Sequence, residues 1–509
     1  MLRFFMRMIE AIKRGFQALR NKVRAFDRRM RKHYRPHRLA LVTLLVMAIT
    51  MVITLFVPPY LGLSNDGSLD SVMADVGLSR LNPDDSTAYF SYYERTYQVS
   101  SANAGPNTTP VLLKITVGIA MGLDELFTGQ DGVFDIRFLA LIYMVLYLCA
   151  LYPLLCGILG RVQLYSEGLV LAVFSALVFG DTTLVVRFAS LYTQPWELIL
   201  YIVLADAVFL IPWNKDGWLS HLSVLTAAVL LISINVYCSA AVLMLSAMYW
   251  VLLRRKTDSL HRAVYVLSAL VLCFISVIGI GRMTAEQTRQ DKYNQLTRGV
   301  LFQSSDPEDA LAFFGIEPRY SVLTETYAEQ SFPVADVNSG VLDEGFLDKY
   351  TTSDVLLYYL SHPLEMVSLF DVGVSSSFVT RWDYSGNYEQ SAGFPPRAKA
   401  LVVSVWSTFK EQSAPKTAGL VVLLAVAFLF FRRGKDSETE EGEAENTFTI
   451  LCVLLCLFSV VQMMTLLTMA GDSLLVRHSF LMSVFIDVMF VLFVSEALHK
   501  MKIIDIDKE

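Results

Sequence analysis

Asp66 lies in the run Pro58-Pro59-Tyr60-Leu61-Gly62-Leu63-Ser64-Asn65-Asp66-Gly67-Ser68-Leu69-Asp70, directly after a long apolar stretch. The paired prolines stop a helix arriving from that stretch, because proline has no backbone N–H and its ring clashes with the turn before it. Asn-Asp-Gly then favours a tight turn. A carboxylate fixed by such a turn is placed to take a proton from an incoming hydroxyl as a general base. The same residues also suit a helix start, with Asp66 or Ser68 capping a helix from Leu69. Both readings stay open. Two further acids, Asp206 and Asp487, fall inside apolar runs, where an acid is usually paired or functional.

The surroundings of these acids define the class. The 509 residues are 54% hydrophobic and 18% charged, with a mean hydropathy of +0.47. A soluble chain of this length needs more charge to cover its surface. The predicted fold is therefore an all-α polytopic membrane protein. Disorder, a collagen repeat and a disulfide-stapled secreted domain are excluded. A net charge of −6 argues against nucleic acid as a partner. The six cysteines (Cys149, Cys156, Cys238, Cys273, Cys452, Cys456) lie in apolar surroundings and read as small core hydrophobes. Cys452 and Cys456 share a helix face, but no His or further Cys stands near them to complete a metal set. No HExxH or Gly-rich phosphate loop occurs. No metal and no cofactor is predicted, and dependence on a divalent ion is left open.

The charge-poor runs are Leu39–Leu61, Phe138–Gly160, Gly168–Gly180, Trp196–Trp213, Gly217–Leu253, Ala263–Gly281, Thr417–Phe431, Thr447–Gly471 and Ser479–Ser495. Gly217–Leu253 is too long for one span and should turn near Asn235–Ser239, which gives about ten transmembrane helices. With the N-terminus inside, Arg161, Lys215, Arg254-Arg255-Lys256, Arg432-Arg433-Lys435, Lys500 and Lys502 all fall on the inner side, as the positive-inside rule requires. Residues 1–38 carry 13 Lys and Arg against Glu10 and Asp27, with apolar residues at helical spacing. They read as a basic amphipathic cytoplasmic segment on anionic membrane lipids. The organisation is then 39–281 as a bundle containing a first outer loop at 62–134, 282–416 as an extracytoplasmic segment, 417–498 as the C-terminal spans and 499–509 as a cytoplasmic tail.

Within the first outer loop, Thr109–Phe127 is apolar but cannot cross by parity, so it should lie as a helix along the outer surface. The second outer segment is predicted to be small and mixed α/β or mainly α. Asp306-Pro307-Glu308-Asp309 opens a helix there, and Gly315 stops it. A further helix runs over Tyr350–Leu360. Trp382, Tyr384, Tyr388 and Trp406 are aromatic residues suited either to sugar faces or to a small core.

Several stretches, taken in order, carry a resemblance. They are Pro58 through Leu78, Gly132 through Leu139, and Phe179-Gly180-Asp181 continuing through Phe188-Ala189-Ser190-Leu191-Tyr192-Thr193-Gln194-Pro195. They continue with Ser305-Asp306-Pro307-Glu308 and Phe314-Gly315-Ile316-Glu317-Pro318, then Gly386 through Gly393. The last is Gly471-Asp472 with Arg477-His478 and Asp487. Together they resemble the GT-C superfamily of membrane glycosyltransferases, and within it the WsfD-like bacterial glycan-biosynthesis hexose transferases. The resemblance implies an acidic catalytic residue in the first outer loop, here Asp66, and in-plane helices beside it. It implies an inverting transfer of a hexose from a polyprenyl-phosphate-linked donor to a glycan or lipid-linked glycan acceptor at the outer face of a bacterial cell membrane.

Given such a donor, Arg477, His478 and Arg187 are the cations expected to hold its phosphate. Positive trim at a helix end is the plainer account of the first two. Asp70, Asp181, Glu197 and Asp487 are candidates for supporting roles. One departure stands out. Where the group has Asn-Ser-Phe-Tyr-Gly-Glu, this chain has Ala189-Ser190-Leu191-Tyr192-Thr193-Gln194, so an acid is missing at Gln194. Either Glu197 substitutes for it or that acid is dispensable here. The competing readings are a lipid-linked-glycan flippase, which would favour internal repeats and helices broken at mid-membrane, and a non-enzymatic scaffold.

Overall fold

The computed structural model describes residues 17–18, 21–30, 33–82, 89–100, 108–129, 132–213, 218–254, 259–328, 339–381, 386–432, 439–473 and 475–501, without the side chains of 476, 477, 500 and 501. The bundle is built from α1 (Pro36–Phe56), α4 (Arg137–Gly160), α5 (Tyr165–Phe179), α7 (Gln194–Leu210), α8 (Trp218–Ile234), α9 (Val242–Leu252), α10 (Ser259–Glu286), α13 (Ala418–Arg432), α14 (Glu440–Ala470) and α15 (Phe480–Met501). Between them lie α2 (Leu69–Val76), α3 (Val111–Thr128) and α6 (Thr182–Val185), and in the second outer segment α11 (Pro363–Ser377) and α12 (Val405–Gln412).

Five of these helices, α1, α4, α10, α14 and α15, are long and apolar enough to cross a membrane. A sixth results if α5 and the following Thr182–Phe188 count as one span bent by 44°. The other predicted runs are helical but shorter. Gly217–Leu253 breaks where the turn was expected. Asn235 caps a 3-10 turn by accepting from the Tyr237 N–H at 3.1 Å. Ser276 of α10 donates to the Ser239 carbonyl at 2.5 Å, satisfying a backbone group that the break exposes. Gly279 lets α10 pass so close to Ser239 that any Cβ there would collide with the serine side chain.

Residues expected on the inner side meet one another at one end of the bundle. Arg161 pairs with Glu496 at 2.8 Å and Glu445 at 3.0 Å, and Arg432 pairs with the same two acids. Tyr34 donates to the Leu159 carbonyl at 2.6 Å. Asp27, one of the two acids of the basic N-terminal segment, is buried and accepts from the Ser166 N–H and hydroxyl. At the opposite end, the Gly62 N–H donates to Asn387 O, Thr182 N–H to Val403 O, and Arg298 pairs with Asp472 at 2.6 Å. In a background lacking the native cysteines, Gly340→Cys should therefore react with an impermeant maleimide applied outside, and Glu440→Cys should react only after permeabilisation. The reverse pattern would invert the orientation.

The segment expected to form the first outer loop contains strands as well as helices. A three-stranded antiparallel sheet, β1 (Leu78–Arg80), β2 (Thr96–Val99) and β3 (Val133–Asp135), pairs in the order β1-β2-β3. The strands are too short to show alternation in sequence. They are held by the buried Tyr97 and by the Arg80–Glu94 ion pair at 2.7 Å. Helix α3 buries Leu113, Val117 and Ala120 and exposes Val111, Ile115 and Ile119, the two-faced pattern of a helix lying on a surface. In the second polar segment the regular elements among the described residues are helices, and a single bridge joins Tyr388 to Leu61. Helix α12 enters the bundle, with Trp406 edge-on to Phe174 of α5 and Phe490 of α15 at 5.5 and 5.0 Å.

Candidate functional site

Asp66 occupies the turn between α1 and α2, half-buried at the loop-bearing end of the bundle. Its Oδ1 accepts the Ser68 N–H at 3.0 Å and the Ser68 hydroxyl, while Asn65 Oδ1 accepts the N–H groups of Gly67 and Leu69. Consecutive Asn and Asp side chains thus serve the start of α2. Gly67, at φ +90°, supplies the left-handed conformation that the turn needs. The Asp66 N–H donates to the Tyr192 hydroxyl at 3.2 Å, and that hydroxyl lies 3.3 Å from Ser64 O. Tyr192 was not singled out by sequence, yet it ties the Asp66 turn to the 180–195 loop. Asp70 is exposed and accepts from Asn65 and from the Tyr89 hydroxyl, a hydrogen bond that raises the Tyr89 phenol above its ordinary range.

Arg187 is almost fully buried rather than presented at the surface. Its Nε donates to Gln194 Oε1 at 3.0 Å, Nη1 donates to Thr183 O, and Nη2 to Thr380 O at 3.3 Å, with the Phe480 ring 4.7 Å from the guanidinium. Gln194, where the resemblance has an acid, therefore meets Arg187 as a neutral acceptor. The guanidinium keeps its positive charge unneutralised by that residue. Glu197 is buried, accepts from Thr193 at 3.3 Å and lies within electrostatic reach of Cys238. Asp181 is committed to structure: it caps α6 through the Thr183 N–H and hydroxyl, and its other oxygen accepts the Ser407 N–H at 2.9 Å.

Arg187 does not stand alone. It shares a small cleft with Arg381, Lys399, Thr182, Asn387 and Leu63, three residues before Asp66. Arg381 is positioned by its Nη2 bonds to Ser407 and Thr408 of α12, at 2.8 and 2.7 Å, and by Glu411, whose carboxylate receives the Thr380 and Arg381 N–H groups. The cleft thus gathers three cations on Thr- and Asn-lined walls, and Glu411 pairs with the Arg381 guanidinium at 3.5 Å. Neither Arg381 nor Lys399 carried a sequence signal, because nothing in the chain marks a cation 190 or more residues downstream as a neighbour of Arg187.

Asp487, His478 and Asp206 are not among the residues lining this cleft. Asp487 is buried in α15, where its Oδ1 accepts from Lys410 Nζ and Trp406 Nε1, both at 2.8 Å. It anchors α12, and Trp406 is core rather than sugar-facing. His478 packs edge-on against Tyr237 at 5.3 Å, beside the 235–239 turn. The side chain of Arg477, like Trp382 and Tyr384, lies outside the described residues. Tyr388 stacks on Phe394 at 4.1 Å. Asp206 is buried in α7, and its Oδ1 has no hydrogen-bond partner among the described residues.

Residues 24–509 match the family described as YfdI N-terminal transmembrane domain. Neither a curated protein nor a solved structure matches the chain.

Proposed function

This chain belongs to the YfdI N-terminal transmembrane domain family, and on that premise we propose that it is a multi-pass membrane glycosyltransferase working at the outer face. The observation that supports the reading is the small cleft lined by Arg187, Arg381 and Lys399, whose wall includes Leu63, three residues before Asp66. A general base and a phosphate-binding cleft side by side are what transfer from a phosphate-linked sugar requires. The bundle has about ten spans, with both termini cytoplasmic, and the donor is a polyprenyl-phosphate-linked hexose, as in the WsfD-like transferases. Asp66 takes the proton of the acceptor hydroxyl, the hydroxyl oxygen attacks the anomeric carbon, and the lipid phosphate leaves with the bonding electron pair. Inversion follows from that single displacement. The cationic cleft stabilises the leaving phosphate, with Arg477 and His478 as a second pair of contacts.

The test is release of polyprenyl phosphate and transfer of labelled hexose by the purified protein in lipid nanodiscs, across a panel of synthetic polyprenyl-phosphate hexoses and lipid-linked acceptors. Lys399→Met removes one half-buried cation without touching the Asp66 turn. It should raise the KM for donor about tenfold, in keeping with hydrogen bonds to charged groups. Unchanged donor saturation in that variant would remove the cleft from the reading. Transport of the lipid-linked sugar across vesicles without transfer would favour the flippase instead.

A further inference from the structure

The second outer segment has a separate opening of about 290 Å³, walled by Asp306, Asp309, Phe313, Tyr358, His362 and Glu365. Its two sides come from two helical pieces whose spacing sets what they present. On helix Pro307–Phe313, Asp309 and Phe313 are four residues apart and share a face. On helix Thr352–Ser361 and its end, Tyr358 and His362 are likewise four apart, and Glu365 follows in the first turn of α11. Ser368 of α11 donates to Gln303 at 2.8 Å, which ties the two walls together.

The rings are already ordered. His362 stacks on Tyr358 at 4.2 Å with 20° between the planes, and Phe313 stands edge-on to both, at 5.2 and 6.3 Å. His362 Nδ1 lies 3.0 Å from the Tyr358 carbonyl, which fixes the imidazole. The Tyr358 hydroxyl donates to Glu365 Oε2 at 2.6 Å and orients that carboxylate. Phe313 is 47% exposed, a large apolar face left open on an otherwise polar rim. The Asp309 carboxylate has no hydrogen bond or ion pair among the described residues.

Aromatic faces beside carboxylates suit one ligand class above others. Sugar rings offer apolar C–H faces to an aromatic ring and hydroxyl donors to carboxylate acceptors. Three acids against a single histidine disfavour a phosphate or a uronic acid by like-charge repulsion. Among the described residues no group of three His, Cys, Asp or Glu is close enough to hold a metal ion, so the acids are not arranged as a cation cage. A concave, partly aromatic opening with a few fixed polar groups is the usual form of a small-ligand site.

We infer that this cleft binds an uncharged hexose unit of a glycan, with Phe313 under the ring face and Asp309 and Glu365 accepting its hydroxyls. Its assignment to the acceptor glycan rests on the glycosyltransferase reading; the binding itself does not. The experiment is saturation-transfer NMR on the full chain in lipid nanodiscs, prepared without glycoside detergent, whose sugar head groups would compete. The probes are neutral glucan and mannan hexamers, a polyuronate hexamer of equal length, and calcium ion. At least one neutral hexamer should bind, with the polyuronate about tenfold weaker or worse. Phe313→Ala and Glu365→Gln, each monodisperse and folded, should each weaken the neutral hexamer about tenfold. No binding of either neutral hexamer, equal binding in both variants, or calcium binding that Asp309→Asn abolishes would each overturn the assignment. Binding is read without donor lipid or turnover. A protein inactive in transfer therefore leaves this cleft standing, and failure here leaves the transfer reaction standing.

Discussion

Asp66→Asn, correctly inserted and folded, should transfer hexose about 10²- to 10⁴-fold more slowly than the unaltered protein, the range that loss of a positioned general base produces. The substitution separates two roles that the geometry superimposes. Asp66 Oδ1 accepts the Ser68 N–H just before α2, a bond that holds the turn. Asparagine keeps the side-chain oxygen that accepts the same turn bond, so a purely turn-holding Asp66 predicts nearly full activity in the Asn variant and a loss only in Asp66→Ala. A catalytic base predicts that both variants are slow. The Asn variant should keep the turn, since Asn65 and the Tyr192 hydroxyl still hold it from either side. Measuring hexose transfer and thermal stability together decides the matter. Full activity in Asp66→Asn would remove Asp66 from the chemistry.

What sequence disclosed about this molecule was local. Asp306-Pro307 opening a helix and Gly315 closing it depend on a few adjacent residues, and both features are present, with Asp306 accepting the Glu308 and Asp309 N–H groups and Gly315 at φ +68°. The turn near Asn235 was legible for the same reason, since a run too long for one span must break at its most polar point. The small sheet of the first outer loop was not legible, because strands of three and four residues show no periodicity. The surroundings of Arg187 were invisible too. They depend on Arg381 and Lys399 arriving from a different segment, and on α12 entering the bundle. Asp27 shows the limit of charge patterning: its carboxylate is buried against two donors of Ser166, 139 residues away, a contact that local charge cannot disclose.

The entry of α12 rests on one buried pair, and breaking that pair should have the largest effect on stability. Lys410 has no exposed side-chain surface, and Asp487 only 3%, with the ammonium 2.8 Å from the carboxylate. The ammonium also donates to the Ser483 hydroxyl at 2.7 Å and the Ser483 carbonyl at 3.3 Å, and Trp406 supplies the carboxylate with a second donor. Lys410→Met keeps the length of the side chain and strands Asp487 in the core. Removing one partner of a buried pair costs about 3–5 kcal/mol, because the remaining charge has lost its compensation. Replacing both members with apolar residues of similar volume is often neutral, so Lys410→Met with Asp487→Leu should recover most of the loss. The consequence reaches the cleft. Helix α12 also supplies Ser407 and Thr408 to Arg381, and the Ser407 N–H to Asp181. The single variant should therefore weaken donor saturation along with stability, and the double variant should restore both. Thermal unfolding and donor KM measured on the three proteins test this. A Lys410→Met protein as stable as the unaltered one would show that the pair does not anchor α12. Recovery of stability without recovery of donor use would show that the ion pair itself, rather than the seating of α12, acts on the cleft.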